Sequence, residues 1–228
     1  ALLVSTATAT SADSSQLSSW LAPAPGSDWV EAAPTPTTLE GPFSSQSYSN
    51  FLQTTSPTTP SVTDQLNALA FREGYARTWV QGSTNDQLTE RVFRFGDVLG
   101  ASAWYANLKA QNQQTKYMTR VIPPLEGNAN SFGVVLKTPN YTSYRVEFLV
   151  SSLVFTVHMD SATNDLTDLA VSQALAELRA QAAATRHSAV AEPASPKLPV
   201  AEIVTAGVVA GLAAVVVAWL VRRRRKPV

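Results

Sequence analysis

The spacing of apolar residues between positions 61 and 181 switches several times between a helical period and a strand period. Apolar residues at helical spacing predict helices over 61–72, over 98–113 and after Asp165. Alternation of apolar and polar residues predicts strands, most clearly the pair 143–150 and 153–159, which the short link Ser151-Ser152 joins as a hairpin. The remaining predicted strands are 75–81, 89–95, 117–122 and 132–137. This order predicts an α+β fold, an antiparallel sheet with helices packed on one side.

Local signals support the first two predicted helices. Ser61 followed by Asp64 resembles a capping box, and Gly74 is expected to end the helix that they begin. Asp97 is expected to cap the helix over 98–113. We therefore expect residues 61–181 to form one domain.

The first 60 residues are rich in Ser, Thr and Pro and contain no Lys or Arg. Residues 1–16 are interpreted either as the start of a mature exported chain or as the remnant of a signal sequence. Residues 17–60 carry too many large apolar side chains for a solvated linker, among them Trp20 and Trp29. We expect this segment to be an extended arm that packs on the domain through its aromatic residues.

A membrane span is the strongest signal in the sequence. Residues 203–221 contain no charge, are rich in Val, Ala and Leu, and would form a helix about 28 Å long, which matches a bilayer core. Residues 182–202 precede the span as a linker with prolines, and residues 222–228 follow it as a basic tail. Because flanking cations stay on the cytoplasmic side, we expect a single-pass protein with its N-terminus outside and its C-terminus inside. Four arginines set this topology: Arg222, Arg223, Arg224 and Arg225.

Small residues mark one side of the predicted span. Gly207 and Gly211 form a Gly-x-x-x-Gly spacing, and Ala214 continues the small-residue face. Such a face lets another helix approach closely in a bilayer. The expected partners are therefore the lipid bilayer and other membrane protein subunits.

Charge and composition exclude several functions. The chain has 17 basic and 17 acidic residues, but five of the basic ones lie in the tail, so the rest of the chain is acidic. An acidic body does not neutralise phosphates, and nucleic-acid binding is not expected. The absence of cysteine excludes thiol catalysis, disulfides and thiolate metal sites.

The search for catalytic chemistry finds no motif for a nucleophile, a phosphate loop or a metal. His158 and Asp160 are interpreted as an ordinary surface pair, because two ligands do not make a metal site. Arg77 and Arg120 lie in predicted strands and could meet an anionic group or pair with Glu90 or Glu147, of which the pairs are favoured. No enzyme activity and no cofactor are expected.

Aromatic residues are the better candidates for recognition. They could line a groove between the sheet and the second helix that holds a small apolar ligand or a partner segment, although packing in the core and at its rim is the favoured explanation. These residues are Tyr75, Trp79, Trp104, Tyr105 and Tyr117. With Trp20 and Trp29 of the arm, Trp104 and Tyr105 are the expected contacts to a protein partner.

Several short segments resemble a known group of proteins. They are Leu-Ala-Pro-Ala-Pro at 21–25, Gly41-Pro42, Gly-Tyr-Ala-Arg-Thr-Trp at 74–79, and Phe-Arg-Phe at 93–95 running into Gly100-Ala101. The chain resembles secreted or membrane-anchored actinobacterial proteins of unassigned function over about residues 17–180. Its order of elements is also similar to the extracytoplasmic sensor domains of mycobacterial serine/threonine kinases and to the extrinsic-subunit fold of photosystem II. The resemblance implies no catalytic residues. The chain differs from this group in its predicted C-terminal span, because many such proteins are anchored instead through an N-terminal Cys, which this chain lacks.

Three functions follow as expectations. The first is a non-enzymatic accessory or assembly subunit of a membrane complex, such as a respiratory one. The alternative is a ligand-binding or sensory ectodomain of a cell-envelope protein, which requires a cleft beside Trp104. A cell-wall hydrolase comes third and would require converging carboxylates in a cleft.

Overall fold

The computed structural model describes residues 12–56 and 60–190. The chain forms five helices and eight strands within these residues. Their bounds in chain order are α1 Ala12–Trp20, β1 Trp29–Glu31, β2 Gly41–Phe43, α2 Ser45–Thr55, α3 Thr63–Ala68, β3 Phe71–Gln81, β4 Gln87–Phe95, α4 Val98–Gln114, β5 Met118–Ile122, β6 Ser131–Lys137, β7 Thr142–Val150, β8 Leu153–Ser161 and α5 Thr167–Val190.

All strands belong to one antiparallel sheet in the order β1-β3-β4-β8-β7-β6-β5, with β2 also paired to β3. The predicted α+β class and the antiparallel sheet are confirmed. The predicted hairpin is β7–β8, in which Ser151 adopts a positive φ of 54° in the turn. The centre of the sheet is the β4–β8 pair, which joins the N-terminal strands to the C-terminal ones.

Helices cover both faces of the sheet, so the prediction that they pack on one side is wrong. One face, called the α5 face, packs Leu88 and Phe155 against residues of α1 and α5 such as Leu17 and Ala170. The opposite face, called the α4 face, packs Phe93 and Val154 with residues of α2, α3 and α4. Strands buried on both faces need cover on both faces, because their apolar side chains alternate between them.

The segment predicted to be an extended arm contains α1, α2 and two short edge strands. Helix α2 forms because Ser44 and Ser47 make a capping box, in which the Ser44 hydroxyl accepts from the Ser47 backbone at 3.2 Å. Tyr48, Phe51 and Leu52 then lie on one side of α2 and pack with the core of the α4 face. The Ser and Thr residues that suggested an extended segment are in part helix caps.

Several boundaries differ from the predictions, and β3, for example, begins at Phe71 rather than at 75. The first predicted helix ends at Ala68 rather than at 72, because Ala70 takes the left-handed conformation with φ of 57°. Gly74 lies inside β3, where a Cβ would collide with the Phe43 ring. Helix α5 continues to Val190, past the expected start of the linker at 182. The predicted cap of α4 is present, since Asp97 Oδ1 accepts from the Gly100 backbone at 2.7 Å.

Of the helices in the described part of the chain, none has the length and apolar character needed to cross a bilayer. The expected span at 203–221, the helix-packing residues Gly207, Gly211 and Ala214, and the arginines at 222–225 lie outside the described residues.

Candidate functional site

Three neighbouring strands place a patch of polar side chains in the middle of the α4 face. The register sets Arg91 beside Thr156 and Thr156 beside Glu147, and it sets Thr89 beside His158 and His158 beside Arg145. Alternate residues of a strand share a face, so the patch extends over three positions of each strand. This patch, called the polar floor, consists of Gln87, Thr89, Arg91, Ser143, Arg145, Glu147, Thr156, His158 and Asp160.

A cavity of about 760 Å³ lies over the polar floor. Its roof comes from α2 and α4, which contribute Tyr48, Phe51, Leu52, Trp104 and Leu108. Polar side chains from α4, including Asn112, also line it, together with residues within 37–39 and 60–65 and Thr78 of β3. A volume of this size falls in the range of small-molecule sites, about 300–1,000 Å³.

A chain of hydrogen bonds connects the charged groups of the floor. Arg145 Nη1 donates to Asn112 Oδ1 at 2.7 Å, and Asn112 Nδ2 donates to Glu147 Oε1 at 2.9 Å. Glu147 Oε1 also lies 3.3 Å from His158 Nε2, and Arg91 Nη1 lies 3.3 Å from His158 Nδ1. The network therefore runs from Arg145 through Asn112, Glu147 and His158 to Arg91.

His158 is neutral in this network. Burial, together with the positive charges of Arg145 and Arg91, holds the pKa of His158 well below its ordinary value. A guanidinium only donates, so Nδ1 accepts from Arg91 and Nε2 carries the proton that is donated to Glu147. Both ring nitrogens are thus used within the protein.

Glu147 is the buried carboxyl of the site, with 1% of its surface exposed. Burial raises the pKa of Glu147 to about 7, against the opposing effects of Arg145, the Asn112 hydrogen bond and Arg91. The carboxyl therefore titrates near neutral pH. Its charge is the variable one on the floor, because His158 stays neutral there.

Several buried polar atoms around the cavity have no hydrogen-bond partner among the described residues. They are Nε of Arg91, Oε2 of Glu147, Oδ1 of Asp160 and Nε1 of Trp104. Buried polar groups in folded proteins are nearly always satisfied by protein, water or ligand. These atoms give the cavity both donors and acceptors for a bound molecule.

A second group of buried polar residues lies on the α5 face. Glu90 Oε1 accepts from Gln173 Nε2 at 3.2 Å, and the same amide nitrogen donates to the Pro23 carbonyl at 2.9 Å. Glu177 is fully buried beside Glu90. Burial raises the pKa of Glu90 to about 8, and burial together with the charge of Glu90 raises the pKa of Glu177 well above its ordinary value. This group belongs to a packed interior, whereas the polar floor faces a cavity.

The aromatic residues predicted for partner binding occupy different places. Trp20 and Trp29 are buried in the core of the α5 face. Trp104 is 2% exposed and belongs to the roof of the cavity, whereas Tyr75 and Trp79, which were predicted for the same groove, pack against the core of the α5 face. Tyr105 packs edge-on against Phe132 of β6, with ring centroids 5.7 Å apart.

Two interpretations of charged residues were wrong. His158 and Asp160 are not an ordinary surface pair, since both line the cavity and the His158 side chain is 19% exposed. Arg77 pairs with Glu31 at 3.8 Å and Arg120 with Asp165 at 3.5 Å, rather than with Glu90 or Glu147. In the described part of the chain, no three His, Asp or Glu residues are arranged to hold a metal ion.

Sequence reasoning missed the residues that give the site its charge. Arg91, Arg145 and Glu147 stand at alternating positions of predicted strands, and alternation alone does not show whether a polar face is covered. Asn112 lies near the end of α4, where a polar residue suggests solvent, yet it is 4% exposed. The available signal was the run of charges on three strands that turned out to be neighbours.

Comparisons with known proteins give one structural match. No protein-family model matches the chain, and no curated protein matches its sequence. The extracellular domain of PknH from Mycobacterium tuberculosis is similar in structure, with a TM-score of 0.47 and 10% sequence identity. The match covers 74% of this chain and 96% of that domain. The cavity and its lining residues therefore carry the functional inference.

Proposed function

We propose that this chain is a ligand-binding protein of the cell envelope. Residues 12–190 form a domain that binds a small molecule between the polar floor and the roof helices, and the segment at 203–221 anchors it with the domain outside. The observation that carries the proposal is the cavity of about 760 Å³ over buried polar atoms whose hydrogen-bonding capacity is not used by the described residues. The extracytoplasmic location rests on the charge pattern around 203–221.

The cavity favours binding over simple packing because of its mixed lining. A void left by imperfect packing is apolar, whereas this cavity joins apolar roof residues such as Leu108 to buried charges such as Arg91. Polar groups that converge beside apolar and aromatic side chains in one cleft are typical of small-molecule sites. The alternative function considered from the sequence, a ligand-binding ectodomain with a cleft beside Trp104, agrees with this geometry.

We propose binding without turnover. The only imidazole on the floor, His158, accepts with one nitrogen and donates with the other, so it has no free lone pair for a substrate proton. The floor hydroxyls of Thr89 and Ser143 therefore have no imidazole base to activate them. Retention of a bound molecule requires none of these steps.

The accessory-subunit role has less support from the geometry. Trp20, Trp29 and Trp104, which were expected to contact a protein partner, are buried within the domain itself. The surface of these three side chains is buried by contacts within the domain. Docking through these rings would require the domain to open.

A cavity-filling variant tests the proposed function. Leu108 lines the roof of the cavity, and Leu108→Trp would place an indole in the space for a ligand. Leu99→Trp is the matched control, because Leu99 lies on the same helix and is 82% exposed. The measurement is the amide chemical shifts of the full chain in detergent, titrated with benzyl alcohol, benzoate and phenyl phosphate.

At least one of the three probes is expected to shift the amides of cavity residues such as Thr89 and His158. The shifts should disappear in Leu108→Trp and persist in Leu99→Trp. If no probe moves these amides in the wild-type protein, or if both Trp variants respond as the wild type does, the proposed function is wrong.

A further inference from the structure

Arg91 is a buried cation that no described carboxylate pairs with. The residue is 8% exposed and lies in the middle of the polar floor. Its only side-chain hydrogen bond among the described residues goes to the neutral His158 at 3.3 Å, and its guanidinium lies 5.5 Å from the centre of the Phe51 ring. Nε has no partner among the described residues. Desolvating a charge without an ion-pair partner costs several kcal/mol, so the site is incomplete as it stands.

Arg145 repeats this pattern two strands away. It donates to Asn112 Oδ1 at 2.7 Å and to Ser143 Oγ at 3.3 Å, and both acceptors are uncharged. In residues 12–56 and 60–190, neither Arg91 nor Arg145 forms an ion pair, although Arg77, Arg94 and Arg120 do. The two unpaired guanidiniums lie on the floor of the same cavity.

We infer that the ligand of this cavity carries an anionic group, a carboxylate or a phosphate, that binds to Arg91 and Arg145 on the polar floor. The inference rests on the proposed function and gives its ligand a chemical class. Guanidiniums bind carboxylates and phosphates through two parallel N–H groups, and Nε of Arg91 is the free member of such a pair. An anion is the group that supplies the missing counter-charge.

Glu147 on the floor permits an anion to bind. Glu147 accepts from Asn112 and His158 through Oε1. Because burial raises the pKa of Glu147 to about 7, it can take up a proton when an anion arrives nearby. The acidic side chain thus becomes neutral rather than repelling the ligand.

The roof defines the other end of the ligand. Phe51, Leu52 and Leu108 present apolar surface over the floor, with Trp104 beside them. Apolar groups of a ligand gain free energy against such a surface, about 25 cal/mol per Å² buried. The ligand is therefore an amphipathic anion whose charged end meets the floor and whose apolar part lies under α2 and α4.

Binding of three matched probes to the full chain tests the inference. Benzoate carries a carboxylate, phenyl phosphate carries a phosphate, and benzyl alcohol keeps the ring without the charge. We expect benzoate or phenyl phosphate to bind at least tenfold more tightly than benzyl alcohol. The better of the two anions identifies the headgroup. Isothermal titration in a phosphate-free buffer measures each Kd.

Substitution of the arginines tests the assignment of residues. Arg91→Met should weaken the better anion at least tenfold and leave benzyl alcohol unchanged, and it should raise the Tm of the free protein because the buried unpaired cation is gone. Arg145→Met, at a half-buried position, provides a second variant with the same expected loss of anion affinity. Arg120→Met is the control, since Arg120 is exposed and pairs with Asp165 away from the cavity.

The outcomes separate the two proposals. If benzyl alcohol binds in the cavity as tightly as both anions, the domain binds ligands but the anionic class is wrong. If the anions bind and neither Arg91→Met nor Arg145→Met weakens them, the assignment to these arginines is wrong. If none of the probes binds, the proposed function fails along with the inference.

Discussion

The two faces of the sheet solve the burial of charge in different ways. On the α5 face, Glu90 and Glu177 lie in a closed interior, and burial raises the pKa of both so that they hold protons. On the α4 face, Arg91 lies under a cavity and keeps its charge without an ion-pair partner among the described residues. A buried carboxylate can become neutral at neutral pH by taking up a proton, whereas a guanidinium stays charged. The acidic group therefore tolerates a closed face, and the basic group requires an open one.

The largest expected difference between the faces is in packing. Phe155 is fully buried on the α5 face and stacks on Phe148, with centroids 4.7 Å apart. Phe155→Ala should lower the free energy of unfolding by about 3–5 kcal/mol. Phe51→Ala, in the cavity roof, should lower it by about 1 kcal/mol, because Phe51 is only partly buried. Urea unfolding of both variants measures this, and equal losses would contradict the distinction between a closed and an open face.

The next effect is the pH dependence of stability that Glu90 causes. Its pKa is raised to about 8, so the folded protein keeps a proton that the unfolded chain releases above about pH 4.5. Stability should therefore fall between pH 5 and pH 8, by roughly 1 kcal/mol per pH unit. Glu90→Gln, which mimics the protonated acid, should remove the part of the slope that Glu90 causes and stabilise the protein by about 3 kcal/mol at pH 8.

The same variant should have little effect at pH 4, where both states of the wild type are protonated. Denaturant unfolding across this pH range is the measurement, with Glu126→Gln at an exposed position as the control. The neighbours that bear on Glu90 are Trp79, Arg77, Gln173 and Glu177. A wild-type stability that rises from pH 5 to pH 8 would show that the α5 face holds Glu90 ionised.

The smallest expected effect is the pH dependence of anion binding on the α4 face. Protonated Glu147 does not repel an anion, so benzoate should bind more weakly as pH rises through about 7. The Kd of wild type should increase by up to about tenfold from pH 6 to pH 8, the limit for one linked proton on a group whose pKa is about 7. In Glu147→Gln it should stay constant, because benzoate itself does not titrate in this range.

Three other groups near the site should not titrate between these pH values. His158 has a pKa held well below its ordinary value, and burial raises the pKa of Tyr48 and of Tyr105. A slope that persists in Glu147→Gln would assign the linked proton to a group other than Glu147.

The sequence predicted the strands well and the site poorly, for one physical reason. Alternation in β7 and β8, with Ser151-Ser152 between them, identified the hairpin because one face of each strand is apolar. The same alternation presented Arg145, Glu147 and His158 as a solvated face. Whether that face is covered depends on α2, whose residues stand in a Ser/Thr-rich stretch that was predicted to be an extended arm. The helix that covers a strand is distant from it in the sequence, so the periodicity of the strand does not reveal whether its polar face is covered.

The α5 face was missed for a related reason. Glu90 and Arg91 are adjacent on β4 and therefore lie on opposite faces of the sheet. Two adjacent charged residues in a strand suggest that both are exposed. Gln173 and Glu177 stand at positions of α5 that pack against Glu90 rather than face solvent. Only the pairing of distant elements shows that these polar residues meet inside the protein.

The central pairing of β4 with β8 also bears on how the domain folds. The hairpins β3–β4 and β7–β8 close locally, but Arg91 and His158 are 67 residues apart in the chain. Such long-range contacts form late, because the intervening loop must be ordered first. Neither hairpin alone assembles the floor, since one supplies Arg91 and the other supplies Arg145 and His158. An anion would therefore bind only after both halves of the sheet have joined, and a bound anion would slow their separation.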